Sequence, residues 1–166
     1  MLDLIKHSTK SKIETFVKYN SVFLREVYSS LMPDNDITNL EYFNCENVIK
    51  NEIKDKRFFH YLINFENQSI GIVSLEKREN LLNICKIFIL KKYRKQKLSY
   101  IILNEIKDIA TKENINTIQI TINETNKKLA KIVQKWGFEK QDTISRYIGD
   151  DIYLYEDKYV LRIHVK

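Results

Sequence analysis

Five basic residues fall within seven positions: Lys91, Lys92, Arg94, Lys95 and Lys97. They follow an apolar run with strand character, Leu81 to Leu90, and precede a segment of helical period that opens at Leu98. A strand that feeds straight into a helix leaves the first backbone N–H groups of that helix without internal acceptors, at the positive end of the helix dipole. With cationic side chains around it, such a junction suits a phosphorylated ligand. A solvated basic loop is the plain alternative. The other residues able to do chemistry are dispersed. His7, His60 and His164 lie far apart, as do Cys45 and Cys85, and no pair has metal-ligand spacing. Free thiols and no metal are expected.

The elements that must position the junction can be read from periodicity. Leu2 to Ile5 reads as a short opening strand. From Ser8 or Thr9 the pattern turns helical through Ile13, Phe16, Val17, Phe23 and Val27. Met32-Pro33-Asp34-Asn35-Asp36 breaks it. A weaker helix is expected over Thr38 to Lys54. Arg57 to Phe65, Ser69 to Lys77 and Leu81 to Leu90 then read as three strands, joined by short turns at Glu66-Asn67-Gln68 and Arg78-Glu79-Asn80 and therefore antiparallel. After the basic junction, Leu98, Ile101, Ile102, Ile106, Ile109 and Ala110 mark one face of a helix over Leu98 to Lys112. Thr117 to Ile122 alternates as a half-buried strand with Ile118, Ile120 and Ile122 inward. Asn123 to Asn126 offers caps for a second helix whose buried face holds Leu129, Ile132, Val133 and Trp136. Gly137 falls where a helix end wants positive φ. Phe138 to Ile144 is a strand, Arg146 to Asp151 a loop, and Ile152 to Val165 a closing β segment. The fold class expected is mixed α/β (α+β), with a mostly antiparallel central sheet of about six or seven strands and helices on both faces.

Length and composition bound the rest. The chain has 166 residues, enough for a single domain over 1–166 with a sizeable core. Hydrophobic residues make up 43% and charged residues 30%, the balance of a soluble globular protein. No apolar run approaches the roughly 20 residues of a membrane span, and the first residues lack the basic-then-apolar order of a secretory signal. A cytoplasmic protein with no membrane partner is expected. The net charge of +6 accompanies abundant lysine, isoleucine and asparagine and scarce glycine and proline. That combination has the look of a genome-wide bias, so the position of the charge carries more information than its sum. A nucleic-acid partner is the weaker reading, because no helix-turn-helix or zinc spacing accompanies the basic cluster.

From Leu81 to the C-terminus the sequence resembles the GNAT superfamily of acetyl-CoA-dependent N-acetyltransferases. The strand–turn–helix around Arg94-Lys95-Gln96-Lys97-Leu98-Ser99 is similar to the family's Gln/Arg-x-x-Gly-x-Gly/Ala turn. Asn126-Lys127-Lys128-Leu129-Ala130-Lys131-Ile132-Val133-Gln134-Lys135-Trp136-Gly137-Phe138 resembles the family's later Asn-to-Gly-Phe pattern. The order of elements agrees as well. Three positions depart from the family. Lys97 and Ser99 stand where the turn usually carries glycine or another small residue. Val133 stands where many members have a tyrosine that protonates the leaving thiolate.

The resemblance implies a function and a site. It implies transfer of an acetyl group from acetyl-CoA to a primary amine, by direct attack in a ternary complex. The acceptor would be an amine-bearing small molecule, peptide or protein, and a homodimer is left open. Arg94, Lys95, Gln96, Lys97, Leu98, Ser99 and Tyr100 would hold the pyrophosphate, chiefly through backbone N–H groups. Ile87, Phe88 and Ile89 would meet the thioester carbonyl, with Ile89 the first choice. Asn126 would reach the pantetheine or adenine side, although asparagine is equally a good helix cap. No carboxylate lies on the strand Leu81 to Leu90, so the general base is open, with Glu76, Tyr153 and Tyr155 as candidates. Valine at 133 cannot give a proton. The alternative is a GNAT-fold coenzyme A-binding module whose catalysis is weak or lost.

Overall fold

Two-residue turns set the first part of the sheet. Glu66 and Asn67 both take positive φ, 47° and 60°, the mirror-image turn that matches the right-handed twist of flanking strands. They join β2 (Phe58–Phe65) to β3 (Gln68–Arg78), which pair antiparallel from Phe58↔Glu76 to Phe65↔Gln68. Glu79, again at positive φ, turns β3 into β4 (Leu81–Ile89). The computed structural model describes residues 1–5, 9–29, 34–42, 45–149 and 152–164.

The remaining elements are β1 (Leu2–Leu4), α1 (Lys10–Tyr28), α2 (Asp34–Tyr42), α3 (Glu46–Lys54), a single 3₁₀ turn (Lys91–Tyr93), α4 (Leu98–Lys112), β5 (Thr117–Asn123), α5 (Lys127–Lys135), β6 (Glu139–Gly149) and β7 (Ile152–Arg162). The seven strands form one sheet in the order β1-β2-β3-β4-β5-β7-β6. It is mostly antiparallel, with a parallel β4–β5 pair. Mixed α/β architecture and strand number are as the periodicity predicts.

The chain packs as two compact units, Met1–Glu76 with Lys86–Lys97, and Lys77–Cys85 with Leu98–Lys166. In the first, α1 and α3 pack on β2. Its core joins Ile5, Phe16, Ile49, Leu62, Ile72 and Phe88. In the second, α4 packs on β5 and buries Leu98, Ile102, Leu103, Ile106 and Ala110. Ile118, Ile120 and Ile122 of β5 are buried, as their alternation requires. Gly137 has φ +90°, as expected at the end of α5.

Four expectations change. The helix expected over Thr38 to Lys54 is two helices, because Cys45 takes an extended backbone (φ −72°, ψ 175°) and restarts the helix at Glu46. The first of the pair begins early, at Asp34, with Asp34 and Asp36 in its first turn, where carboxylates favour the helix dipole. Ile101 is exposed and Leu103 takes its place on the buried face of α4. The loop expected from Arg146 is strand as far as Gly149, since β7 supplies a ladder partner: Arg146↔Leu154, Tyr147↔Tyr153, Gly149↔Ile152. Asp150 and Asp151, like Ser8, Met32 and Pro33, lie outside the described residues. Among the described residues no helix is long and apolar enough to cross a membrane.

Candidate functional site

The basic junction is a braced turn, built from inside the first unit. Leu90 N–H donates to the Ile70 carbonyl at 2.9 Å. Neighbouring residues of an antiparallel strand alternate in direction. The N–H of Ile89 therefore points away from β3, as does that of Ile87. Gly71 makes this edge possible: a Cβ placed on it would stand 2.0 Å from the Phe88 carbonyl oxygen. The register of β2 and β3 also slips here, between Ile63↔Gly71 and Asn64↔Ser69, leaving Ile70 as the extra residue of a bulge.

Beyond the strand, Tyr93 and Arg94 donate their N–H groups to the carbonyls of Leu90 and Lys91. Tyr93 Oη donates to Gln68 Oε1 at 2.8 Å, fastening the turn to the β2–β3 hairpin. Arg94 is held on three sides. Its Nε donates to the Ile89 carbonyl at 2.7 Å, its Nη1 lies 2.5 Å from Glu26 Oε1 of α1, and its guanidinium sits 5.4 Å from the centroid of the Phe88 ring. The Arg94 side chain is thus a strut between β4, the turn and α1.

Past Arg94 the turn is open. Lys95 and Lys97 take φ values of +68° and +58°, whereas Arg94 is at −72°. Gln96 is not among the positive-φ residues, so the sign alternates along the turn. Alternating hands of this kind aim successive N–H groups into one concavity, a main-chain anion nest. Among the described residues of the turn, no carbonyl takes the N–H groups of Lys95, Gln96 or Lys97. Lys95, Gln96 and Lys97 are exposed. No carboxylate among the described residues lies within ion-pair distance of Lys91, Lys92, Lys95 or Lys97. The φ values also bear on the two missing glycines. Lys97 occupies the left-handed region that glycine favours, at a cost of about 1 kcal/mol for a side chain.

In the second unit, α4 begins directly at Leu98, so the N–H groups of Leu98, Ser99 and Tyr100 belong to the first helical turn and have no intrahelical acceptor. Leu98 is buried, Ser99 half-buried and Tyr100 exposed. The parallel ladder runs from Leu81↔Thr117 to Ile84↔Ile120 and stops there, although both strands continue. On its other side β5 stays paired with β7 as far as Asn123. Asn126 caps α5, its Oδ1 accepting from Leu129 N–H at 3.1 Å. The cap uses the amide oxygen and leaves the Nδ2 donors for other partners. Val133 is fully buried in α5. Tyr153 and Tyr155 stand exposed on β7, and the Tyr153 ring lies 5.4 Å from that of Tyr147. Glu76, in the first unit, sits half-buried near the end of β3, opposite Phe58.

One polar group has no local cue in the sequence. His60 is buried on β2, with Nδ1 2.9 Å from Ser74 Oγ and Nε2 2.9 Å from Glu52 Oε2. Its ring meets Phe16 edge-on and stacks on Phe58, so it is enclosed rather than presented. Glu52, His60 and Ser74 come from α3, β2 and β3. Only the register His60↔Ser74 brings the last two together.

The family model for the acetyltransferase (GNAT) domain matches residues 30–149. The chain belongs to the GNAT acetyltransferase family. Solved structures share the fold at low identity. The PaiA N-acetyltransferase of Thermoplasma acidophilum, solved in complex with coenzyme A, is 15% identical with a TM-score of 0.74, over 95% of this chain and 98% of that one. A spermidine N-acetyltransferase SpeG chimera, from Vibrio cholerae and hSSAT, is 15% identical with a TM-score of 0.73, over 98% and 96%. The ribosomal-protein-alanine N-acetyltransferase of Brucella melitensis is 13% identical with a TM-score of 0.70, over 98% and 99%. No curated protein sequence matches the chain.

Proposed function

We propose that the chain transfers the acetyl group of acetyl-CoA to a primary amine by direct attack in a ternary complex. The observation that carries this reading is the turn after Arg94. Two lysines there hold left-handed backbone, and among the described residues no carbonyl takes the N–H groups of Lys95, Gln96 or Lys97. In this reading the pyrophosphate is gripped by the N–H groups of Lys95 to Tyr100, with the ammonium groups of Lys95 and Lys97 adding charge. Arg94 contributes by holding the turn in shape. Asn126 offers Nδ2 to the pantetheine or adenine side while its Oδ1 caps the helix. Coenzyme A in the PaiA structure and amine acceptors in the names of structural neighbours support the same assignment.

The chemistry asks little of side chains. A neutral amine attacks the thioester carbonyl carbon, a C–N bond forms, and the C–S bond breaks. The developing oxyanion needs a donor, and the Ile89 N–H, turned away from β3 beside Ile87 and Phe88, suits that task. A proton leaves the attacking nitrogen for Glu76, Tyr153, Tyr155 or water. Val133 has none to give the departing thiolate, so another group or water supplies it. The acceptor is a primary amine on a small molecule, a peptide or a protein.

Titration calorimetry with acetyl-CoA, followed by thiol release with a panel of amines, tests both halves. Binding with release supports the transferase. Binding without release across the panel favours a coenzyme A-binding module, the reading suggested by the buried aliphatic residue at 133. No heat and no thermal shift at millimolar ligand would sink both.

A further inference from the structure

β6 lies at one end of the sheet, and among the described strands it is hydrogen-bonded to β7 alone. It is long, Glu139 to Gly149, and residues 139–147 are all exposed. Edge strands are ordinarily short, bulged or covered, because their open N–H and C=O groups recruit another strand. Here Gln141 is skipped in the register between Lys140↔Tyr159 and Asp142↔Lys158, and a second irregularity falls between Tyr147 and Gly149. Regular edge is therefore left at Asp142 to Tyr147. Ile144, in its middle, is 39% exposed.

We propose that this edge pairs with the same edge of a second copy of the chain, antiparallel about a two-fold axis through Ile144. Symmetry and charge select that register. In an antiparallel ladder only alternate residues turn their backbone groups to the open side, so a two-fold axis must pass through a residue and not between two. An axis through Thr143 sets Asp142 against Ile144 and carries Arg146 past the end of the regular edge. An axis through Ser145 sets Arg146 against Ile144. An axis through Ile144 sets Asp142 against Arg146 twice, Thr143 against Ser145 twice, and Ile144 on itself. Asp142 already lies 3.4 Å from Lys158 Nζ, and Arg146 lies 3.2 Å from Glu156 Oε1. The pairing thus extends an alternating row from Lys158 and Asp142 of one copy to Arg146 and Glu156 of the other. Opposed unlike charges stabilise cross-strand pairs, and neither competing register sets opposite charges together. The edge charges that would ordinarily block association here choose one partner.

Sedimentation equilibrium of the full chain tests this with two single variants, Asp142→Arg and Arg146→Asp. Each sets like charges across the axis in its own homodimer and is expected to self-associate at least about tenfold more weakly than the wild type. Mixing the two restores opposite charges at both pairs, and the expected result is a heterodimer of wild-type-like affinity. Recovery on mixing cannot come from a folding defect. A wild type that stays monomeric at its highest soluble concentration overturns the proposal. So does a dimer indifferent to both variants, or one that mixing fails to restore. Should either variant fail to fold, amide exchange on the wild type decides: protection of residues 142–146 must rise with protein concentration, and concentration-independent exchange refutes the pairing.

Discussion

Arg94 and Lys97 carry like charges and have different tasks. Arg94 supplies the donor for the Ile89 carbonyl and pairs with Glu26, so Arg94→Ala leaves both without a partner. The expected loss is about 1–3 kcal/mol of unfolding free energy, read from a urea midpoint. Arg94→Lys is not expected to restore it, because lysine lacks the planar fork that reaches both groups. Lys97 is exposed and already left-handed, so Lys97→Gly keeps the backbone and its N–H group. Stability should stay within about 1 kcal/mol of wild type. Coenzyme A should bind about two- to fivefold more weakly by calorimetry, the usual worth of one exposed charge. Unchanged or tighter binding would show that the main chain alone makes the grip.

At the scale of elements, the junctions decide more than the element interiors. α5 is amphipathic, but its start rests on Asn126, whose Oδ1 takes the Leu129 N–H. Two substitutions separate cap from ligand role. Asn126→Ala removes both and should cost about 1 kcal/mol of stability. Asn126→Asp keeps an accepting oxygen and should hold its melting temperature. It loses the Nδ2 donors and adds a negative charge, so weaker binding of coenzyme A in a fully stable variant would assign the amide to the ligand. In β3, Gly71 and the bulge at Ile70 do the corresponding work: they let β3 approach Phe88, and the ladder then turns Ile89 outward.

For the molecule as a whole, one route by which acid should destabilise the fold is Asp157. This carboxylate is 5% exposed and accepts from Lys140 Nζ at 2.6 Å and Thr143 Oγ1 at 2.8 Å. The Lys140 hydrogen bond, then that of Thr143, hold it below the usual carboxylate range, against the opposing pull of burial. A carboxyl group depressed in the folded chain binds its proton more readily unfolded. Its stabilisation is therefore complete above the ordinary value of about 4 and lost as pH falls through the folded one. Asp157→Asn should melt lower than wild type near neutrality and lose less on acidification, so the two curves of melting temperature against pH converge below about pH 4. Parallel curves would remove Asp157 from the acid response.

The residues by themselves determined most of the architecture and the strand–turn–helix junction. Alternation in Thr117 to Ile122, the helical stripe after Leu98, and turn formers at Glu66-Asn67 and Glu79-Asn80 are local signals. Local sterics and burial periodicity enforce them. The strand–turn–helix junction with its lysines was legible for the same reason. Tertiary structure alone decided what depends on a partner distant in sequence. The division of the second helix at Cys45 has no strong local stop. The extension of β6 through Arg146 to Gly149 exists because β7 completes its ladder. His60 meets Ser74 and Glu52 only through strand register and a packed helix. The sharpest case is Arg94. Its type and position mark it for an anion, yet the fold gives its guanidinium to Ile89 and Glu26 and leaves the open N–H groups to Lys95, Gln96 and Lys97. A side chain's partner is set by whichever acceptor the fold brings nearest, and no spacing along the chain encodes that distance.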